Sequence, residues 1–503
     1  MRDFVQNLPL FSIILCLLSG SGSSMLKGRA AKWVNTVGIS LVGVMSMIVM
    51  LYCTEHGSFV YMMGHFPAPW GNEIRAGVLE GFMAMFFCII MLLSMLGGRK
   101  KIDDEVESTK HNLYYILVDL LLCSLIALVY TNDFFTAYVF VEINTIAACG
   151  LIMIRQNGRT IEAAVRYLIM SQVGSGLFLV GICMLYDLTG HLLMSNIREA
   201  IAQIVANGTY SEPMLVSIAL ITVGLAIKSA LFPFHSWLPD AYGYSNVSSA
   251  AILSSLVSKG YIFLLIKIMY RVVGFDVIIN SKVLHVLFIF GLIAMVSGSV
   301  SAFHENDIRR MIAFSSVAQI GYIYMGLGMG TMAGVVASIF HILAHAATKS
   351  MLFISAIGLT DVSGGSRHFK DLTGAAYRNR IAGLGFAVGS LSMVGIPLFS
   401  GFVSKLLFME SAVELHWYKM LPALVVLGIS TILNAVYFMK TVIRIYTPVG
   451  SLYDGKEGYE VRAWSRQKLY TVTIILFIIV NSVLGLCSGP IIDLIQDGLG
   501  MFT

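Results

Sequence analysis

Six lysines and no arginine stand more than one turn inside the hydrophobic runs of this chain: Lys228, Lys259, Lys267, Lys349, Lys405 and Lys440. A desolvated lysine can release its proton, whereas arginine keeps its charge at any pH a cell reaches. The bias therefore points to groups that exchange protons rather than to fixed positive charge. Placing a charge at the centre of a bilayer costs about 2.5 to 3.5 kcal/mol on insertion scales, so each such lysine needs a reason. Lys267 and Lys440 lie within a turn or two of the ends of their runs, where a long side chain can reach the interface. Lys228, Lys259 and Lys405 lie deeper, each beside small or helix-breaking residues that admit water and unpaired backbone groups.

Glu142, in TAYVFVEINTIAACG, is about nine residues from the nearest end of its run, too deep for a short side chain to reach outside water. It requires an internal partner, and Lys228 is the natural one. An ion pair makes both charges tolerable, and a pair that can be broken is a proton valve. Glu80, Asp119 and Glu410 are nearer helix ends or loops, where a solvated or structural role and a place on an ion path are both open. His341, His345 and Lys349 follow one another at spacings of four, which aligns them on one helix face. Three titratable groups in line suit proton relay, with static hydrogen bonding as the alternative. An i, i+4 histidine pair offers a metal two ligands and no evident third, so no metal site is expected.

Only a membrane can accommodate the segments that carry these residues. Of 503 residues 57% are hydrophobic and 12% charged, against about 25% charged in soluble domains. The net charge of +5 does not indicate nucleic acid, because the basic residues lie between apolar runs without interleaved aromatics. Seven cysteines are scattered singly, with no C-x-x-C pair or Cys/His cluster, which argues against iron–sulfur, zinc and disulfide chemistry. Nucleotide loops, dinucleotide turns and a nucleophile elbow are all missing from the sequence. No cofactor is expected in this chain, and any electron transfer belongs to a partner. The apolar run from Leu8 to Leu18 has only Arg2 before it, balanced by Asp3, and is expected to be a retained first helix rather than a signal peptide.

Fourteen runs are long enough to span, at about 7–26, 34–53, 78–97, 113–131, 133–154, 164–187, 214–233, 247–272, 283–302, 311–328, 332–358, 380–413, 419–447 and 469–487. With this count, 21 of the 33 lysines and arginines fall on one side, 6 on the other and 6 in the runs. The positive-inside rule then makes the odd-numbered loops cytoplasmic and turns both termini outward. The charged stretch from Gly450 to Gln467 is expected to be a cytoplasmic loop. Runs seven and twelve are interrupted, the former by Pro233 and Pro239, the latter by Gly395, Pro397 and Gly401. Broken helices in corresponding positions mark inverted-repeat transporters. The expected architecture is one all-α polytopic membrane domain over 1–503. Within it, residues 1–112 precede a five-helix repeat over 113–272 and its inverted counterpart over 283–447, and 448–503 supply the last loop and helix.

The stretches HENDIRRMIAFSSVAQIGY (His304 to Tyr322) and FPFHSWLPDA (Phe232 to Ala241) resemble the antiporter-like subunits of respiratory complex I, Mrp cation/proton antiporters and energy-converting membrane hydrogenases. FPAPWGNEIRA (Phe66 to Ala76) and IPLFSGFVSKLLF (Ile396 to Phe408) look most like the D-type Mrp subunit. The resemblance implies a fourteen-helix fold with two inverted five-helix repeats and broken helices seven and twelve. It implies that Glu142, Lys228, Lys259 and Lys405 are the ion-path residues of helices five, seven, eight and twelve, with His341 and His345 on a central hydrophilic axis. Some complex I paralogues have a glutamate where Lys405 stands, and Glu80 occupies a position shifted from an aspartate common in the D-type pattern. The implied setting is a prokaryotic-type cytoplasmic membrane, with related membrane subunits as partners and, in some hosts, a peripheral redox module carrying iron–sulfur or nickel–iron centres. The transported ion is H⁺, or H⁺ together with Na⁺. A scaffold whose buried charges only hold helices together, and a self-sufficient carrier, are the alternatives from other classes.

Overall fold

A computed structural model describes residues 2–66, 71–448 and 467–502. The chain opens with α1 (Arg2–Met25) and α2 (Gly28–His56). A short antiparallel hairpin of β1 (Phe59–Met62) and β2 (Glu73–Ala76) follows, with Phe59 opposite Ala76. Next come α3 (Val78–Gly97), α4 (Arg99–Glu105), α5 (His111–Tyr130), α6 (Phe134–Met153), α7 (Gly158–Thr189), α8 (Met194–Asn207) and α9 (Ser211–Lys228). Three short helices, α10 (Leu238–Tyr244), α11 (Val247–Ile252) and α12 (Ser258–Ile266), precede α13 (Phe275–Asn280). The remainder is α14 (Val283–His304), α15 (Ile308–Met329), α16 (Met332–Asp361), α17 (Ala375–Arg378), α18 (Arg380–Val394), α19 (Ser400–Val413), α20 (Trp417–Ile445), α21 (Lys468–Leu486) and α22 (Ser488–Gly500).

Among the described residues, twelve helices are long and apolar enough to cross a membrane, and the chain is a multi-pass membrane protein. Two of the fourteen expected spans take another form. The run over 247–272 is divided into short helices by π-helical turns at Leu253–Val257 and Lys267–Gly274, and the run over 380–413 is split between α18 and α19. The seventh run ends as a helix at Lys228 and resumes at Leu238, with a cis Phe232–Pro233 bond between. The hairpin, α8 and α22 were not anticipated. Two four-residue strands are too short to show a period of two, so the all-helical expectation needs this one amendment. Most of the Gly450 to Gln467 loop, and residues 67–70 of the Phe66 to Ala76 stretch, lie outside the described residues.

Helix α16 is buried along its whole apolar window and α15 along 94% of its own, whereas α2, α20 and α21 are buried over a third. A helix apolar on every side belongs in the middle; the outer helices turn residues such as Leu51, Ile289, Ile432 and Ile443 outward. Small residues allow the closest packing. On α14, a Cβ at Gly291 would lie 2.5 Å from the backbone nitrogen of Met325, and one at Gly298 equally near that of Ala318, the small-residue seam by which membrane helices approach.

Polar residues lock the first helices together. Asp119 on α5 is buried and accepts hydrogen bonds from Ser19 on α1 (2.8 Å) and Asn35 on α2 (2.7 Å). Asp119→Ala leaves both donors buried without this acceptor, at about 1 to 3 kcal/mol for each unsatisfied group. The expected result is a lower thermal stability of the solubilised protein, read as a fall in melting temperature against the wild type.

Connections meet in two groups. At one end, Arg155 donates to the Tyr244 carbonyl (3.0 Å), Asn246 to the Lys101 carbonyl (3.1 Å), and Arg367 to the Gly243 carbonyl (2.7 Å). At the other, Ile74 bridges to Thr131, Asp133 to Leu193, and Arg198 donates to the Phe502 carbonyl (2.8 Å).

Candidate functional site: a buried row of lysines and histidines

Lys228 is the last residue of α9 and is wholly buried. Its ammonium lies 3.6 Å from the Glu142 carboxylate of α6, donates to Thr145 Oγ1 at 2.6 Å, and stands 5.5 Å above the Tyr261 ring. Glu142 is 21% exposed and also accepts from Gln172 at 3.1 Å. The expected pair is therefore formed, at a length that leaves room for it to loosen. Tyr261 extends the polar contacts, donating to Asn144, which donates to Ser124.

Among the described residues, no carboxylate pairs with Lys259. Its ammonium donates to the Ser254 carbonyl and to Ser258 Oγ (3.1 Å). Ser254 belongs to the π-helical turn just before α12, and such a turn disturbs the regular backbone pairing. Lys349, on α16, donates to the Ile312 carbonyl (3.0 Å) and to Ser315. Its helix neighbours His345 and His341 follow, their rings 6.0 Å apart; His341 Nδ1 pairs with Ser404, and its ring stacks on Tyr322 at 5.5 Å. Both nitrogens of His345 and Nε2 of His341 are buried without a hydrogen-bond partner among the described residues. Lys405 on α19 closes the row, donating to the carbonyls of Met393 (3.1 Å) and Val394 (2.7 Å). These carbonyls are free because α18 stops at Val394 and Gly395 turns left-handed, φ +93°. A small cavity is lined by Gln319, His341, His345, Thr348, Ser392 and Lys405.

The structure thus brings Glu142 to Lys228, and Lys405 to His341 by way of Ser404 and Tyr322. It leaves the accessory acids outside the row. Asp119 belongs to the α1–α2–α5 contact, Glu410 is exposed on α19, and Glu80 sits beside Arg75 at the hairpin end. Lys440 is exposed, with its ammonium over Phe303. Lys267 departs from expectation: it is wholly buried and donates to the carbonyls of Val129 (2.6 Å) and Thr131 (2.9 Å). The end of α5 and the connection after it cover the lysine, so nearness to the end of its own run does not bring it to the interface. Among the described residues, no group of three or more His, Cys, Asp or Glu could hold a metal ion. Thr145, Gln172, Ser254, Ser315 and Ser404 were not singled out from sequence; only Ser254 lies in a stretch of unusual composition, the serine-dense VSSAAILSSLVSK (247–259).

The stretches from His304 to Tyr322 and from Phe232 to Ala241 meet at the arginine-rich end. Arg310 donates to Asp240, to Glu305 (2.9 Å) and to the Tyr244 hydroxyl (3.1 Å), while Arg166 also reaches Asp240 (2.9 Å). This knot ties the segment after the α9 break to the start of α15. Arg310→Ala is expected to lower stability by about 1 to 3 kcal/mol, in the range of charge-assisted hydrogen bonds and reduced by partial exposure. A thermal-shift measurement in detergent would register it as a fall of a few degrees.

Fold and site together define a polytopic membrane protein with a row of protonatable groups through its middle. Residues 131–431 match the family described as NADH:quinone oxidoreductase/Mrp antiporter, transmembrane, and the chain belongs to that family. It is 32% identical to NADH-quinone oxidoreductase subunit N of Desulforudis audaxviator, over 77% of this chain and 75% of that one. It is 30% identical to the putative antiporter subunit mnhD2 of Staphylococcus haemolyticus, over 81% and 79%. The solved structure of the membrane-bound sulfane sulfur reductase, an archaeal respiratory membrane complex, superposes with a TM-score of 0.86 at 25% identity, covering 99% of this chain and 97% of that one. The chain is an antiporter-like membrane subunit of the kind such complexes contain.

Proposed function

We propose that this subunit translocates protons across a prokaryotic-type cytoplasmic membrane, within a multisubunit complex whose other members include related antiporter-like subunits. The observation that carries the proposal is the Glu142–Lys228 pair at 3.6 Å, followed by buried Lys259, Lys349, His345, His341 and Lys405. Protons enter one half, pass Lys228, Lys259 and the α16 histidines, and leave through Lys405, while Glu142 gates the passage by holding or releasing Lys228. Lys349, one turn beyond His345, exchanges with the middle of the row. The ion is H⁺, alone or exchanged with Na⁺, and movement is coupled to a redox reaction whose iron–sulfur or nickel–iron centres belong to partner subunits.

The same reading assigns fourteen crossings: the twelve long helices, the segmented run from Val247, and the α18–α19 pair. Support comes from the connections, because the loops counted as odd meet one another at one end and the even ones at the other. The breaks after Lys228 and after Val394 then occupy corresponding places in inverted five-helix repeats over 113–272 and 283–447. Segments 1–112 and 448–503 flank them, with both termini outward and the arginine-rich end cytoplasmic.

Purification in mild detergent, with mass spectrometry and metal analysis of what accompanies the chain, tests the setting. Redox subunits with iron are expected; small membrane subunits without metal would instead favour an Mrp-type antiporter, the second reading, which the mnhD2 similarity supports. Reconstituted assembled complex that moves no proton under either driving force would overturn both.

A further inference from the structure

A second set of buried charges lies where the hairpin, α8 and α22 meet, and the row above makes no use of it. Glu80, in the first turn of α3, is 1% exposed, and neither carboxylate oxygen has a hydrogen bond among the described residues. Its nearest cation, Arg75, stops at 4.0 Å, too far for the bidentate contact an arginine makes with a carboxylate. Gly77 supplies the space, since a Cβ there would lie 2.6 Å from Glu80 Oε2. Lys267 and Arg271 are also buried, and both lie within the field of Glu80. Arg75 Nη1 and Arg271 Nη1 have no hydrogen-bond partner among the described residues either. Two acceptors and two donors in one buried cluster are therefore unmatched, a condition proteins meet with bound water.

Fastening the hairpin does not need Glu80. Arg75 donates to Ser58 (3.2 Å) and to the Met501 carbonyl, and Arg271 donates to Asn132, which donates to Glu73. What Glu80 adds is an acid beside cations without a bond that would fix its charge. Lys267 connects it to the row, lying eight residues beyond Lys259 along one segmented helical run, about 12 Å at a helical rise.

We propose that Glu80 is a proton-exchanging site at the outward end of the first five-helix unit, the entry to that half, served by Lys267. This rests on the translocation reading above. The Glu80 carboxylate takes a proton from the outer aqueous side past the hairpin, and the carboxylic acid gives it through bound water to the neutral Lys267 amine, leaving a carboxylate and an ammonium. Lys267 in turn reprotonates Lys259, from which the proton continues along the row to Lys405.

The test is proton flux per assembled complex in reconstituted vesicles for Glu80→Gln, Glu80→Asp, Lys267→Gln and, as reference, Lys228→Gln. Glu80→Gln is expected to lose at least tenfold and Glu80→Asp to keep a third or more, with assembly on native gels unchanged. Should Glu80→Gln fail to assemble, Lys267→Gln carries the decision with the same tenfold loss. Flux at the wild-type level in assembled Glu80→Gln or Lys267→Gln, with Lys228→Gln inactive, overturns the Glu80 entry and spares the central row. Full flux in Lys228→Gln with loss in Glu80→Gln overturns the central reading and keeps the Glu80 entry.

Discussion

Lys228→Gln is expected to cut ion flux about 100-fold in the assembled complex, with assembly retained. Glutamine keeps a donor for Thr145, which Lys228 reaches at 2.6 Å, but it carries no exchangeable charge. Glu142 survives the change because it is 21% exposed and also held by Gln172. Glu142→Gln should lose flux to the same degree and stability in addition. It leaves a fully buried ammonium with a hydroxyl and the Tyr261 ring, and removing one partner of a buried pair costs about 3 to 5 kcal/mol. The double variant, neutral at both positions, should regain stability and stay inactive. That split separates a valve from a scaffold: were the charges only glue, the double variant would recover flux along with stability. Wild-type flux in either assembled single variant would remove the pair from the mechanism.

The parts of this site that were legible in the sequence are those whose cost a membrane makes visible. A lysine deep in an apolar run announces itself at Lys228, Lys259 and Lys405, and the pairing of Lys228 with Glu142 follows from the same expense. The break near Lys405 is written in Gly395 and Pro397. The partners were not legible, because Ser254, Ser315 and Ser404 are ordinary small residues of membrane helices until a lysine or histidine faces them. The π-helical turn at Leu253–Val257 has no Gly or Pro to announce it, and it lies in a segment buried on every side. Lys267 shows the limit most clearly. Distance along the chain to the end of a run says nothing about the end of α5, whose carbonyls enclose the ammonium from elsewhere in the sequence.

Gly401→Ala should abolish accumulation of the folded protein, whereas Gly428→Ala should be silent. A Cβ at Gly401 would lie 1.8 Å from the Ser392 carbonyl oxygen; one at Gly428 would meet nothing within 4 Å. The obstacle is backbone, and it cannot swing aside, because the Ser392 carbonyl accepts from the Gly395 amide (3.0 Å) in the turn that ends α18. Overpacking of this kind typically costs about 1 to 3 kcal/mol where side chains can adjust, and more where they cannot. The consequence reaches the proposed ion path, since Lys405 lies one turn beyond Gly401 and donates to the carbonyls of Met393 and Val394, next to Ser392. Any shift of α19 large enough to admit the methyl group lengthens those bonds and moves Ser404 away from His341. Should some Gly401→Ala protein assemble, its flux should therefore fall further than its thermal stability. An assembled variant matching Gly428→Ala in both respects would mean that α18 and α19 do not meet at Ser392, and the seat assigned to Lys405 would go with that contact.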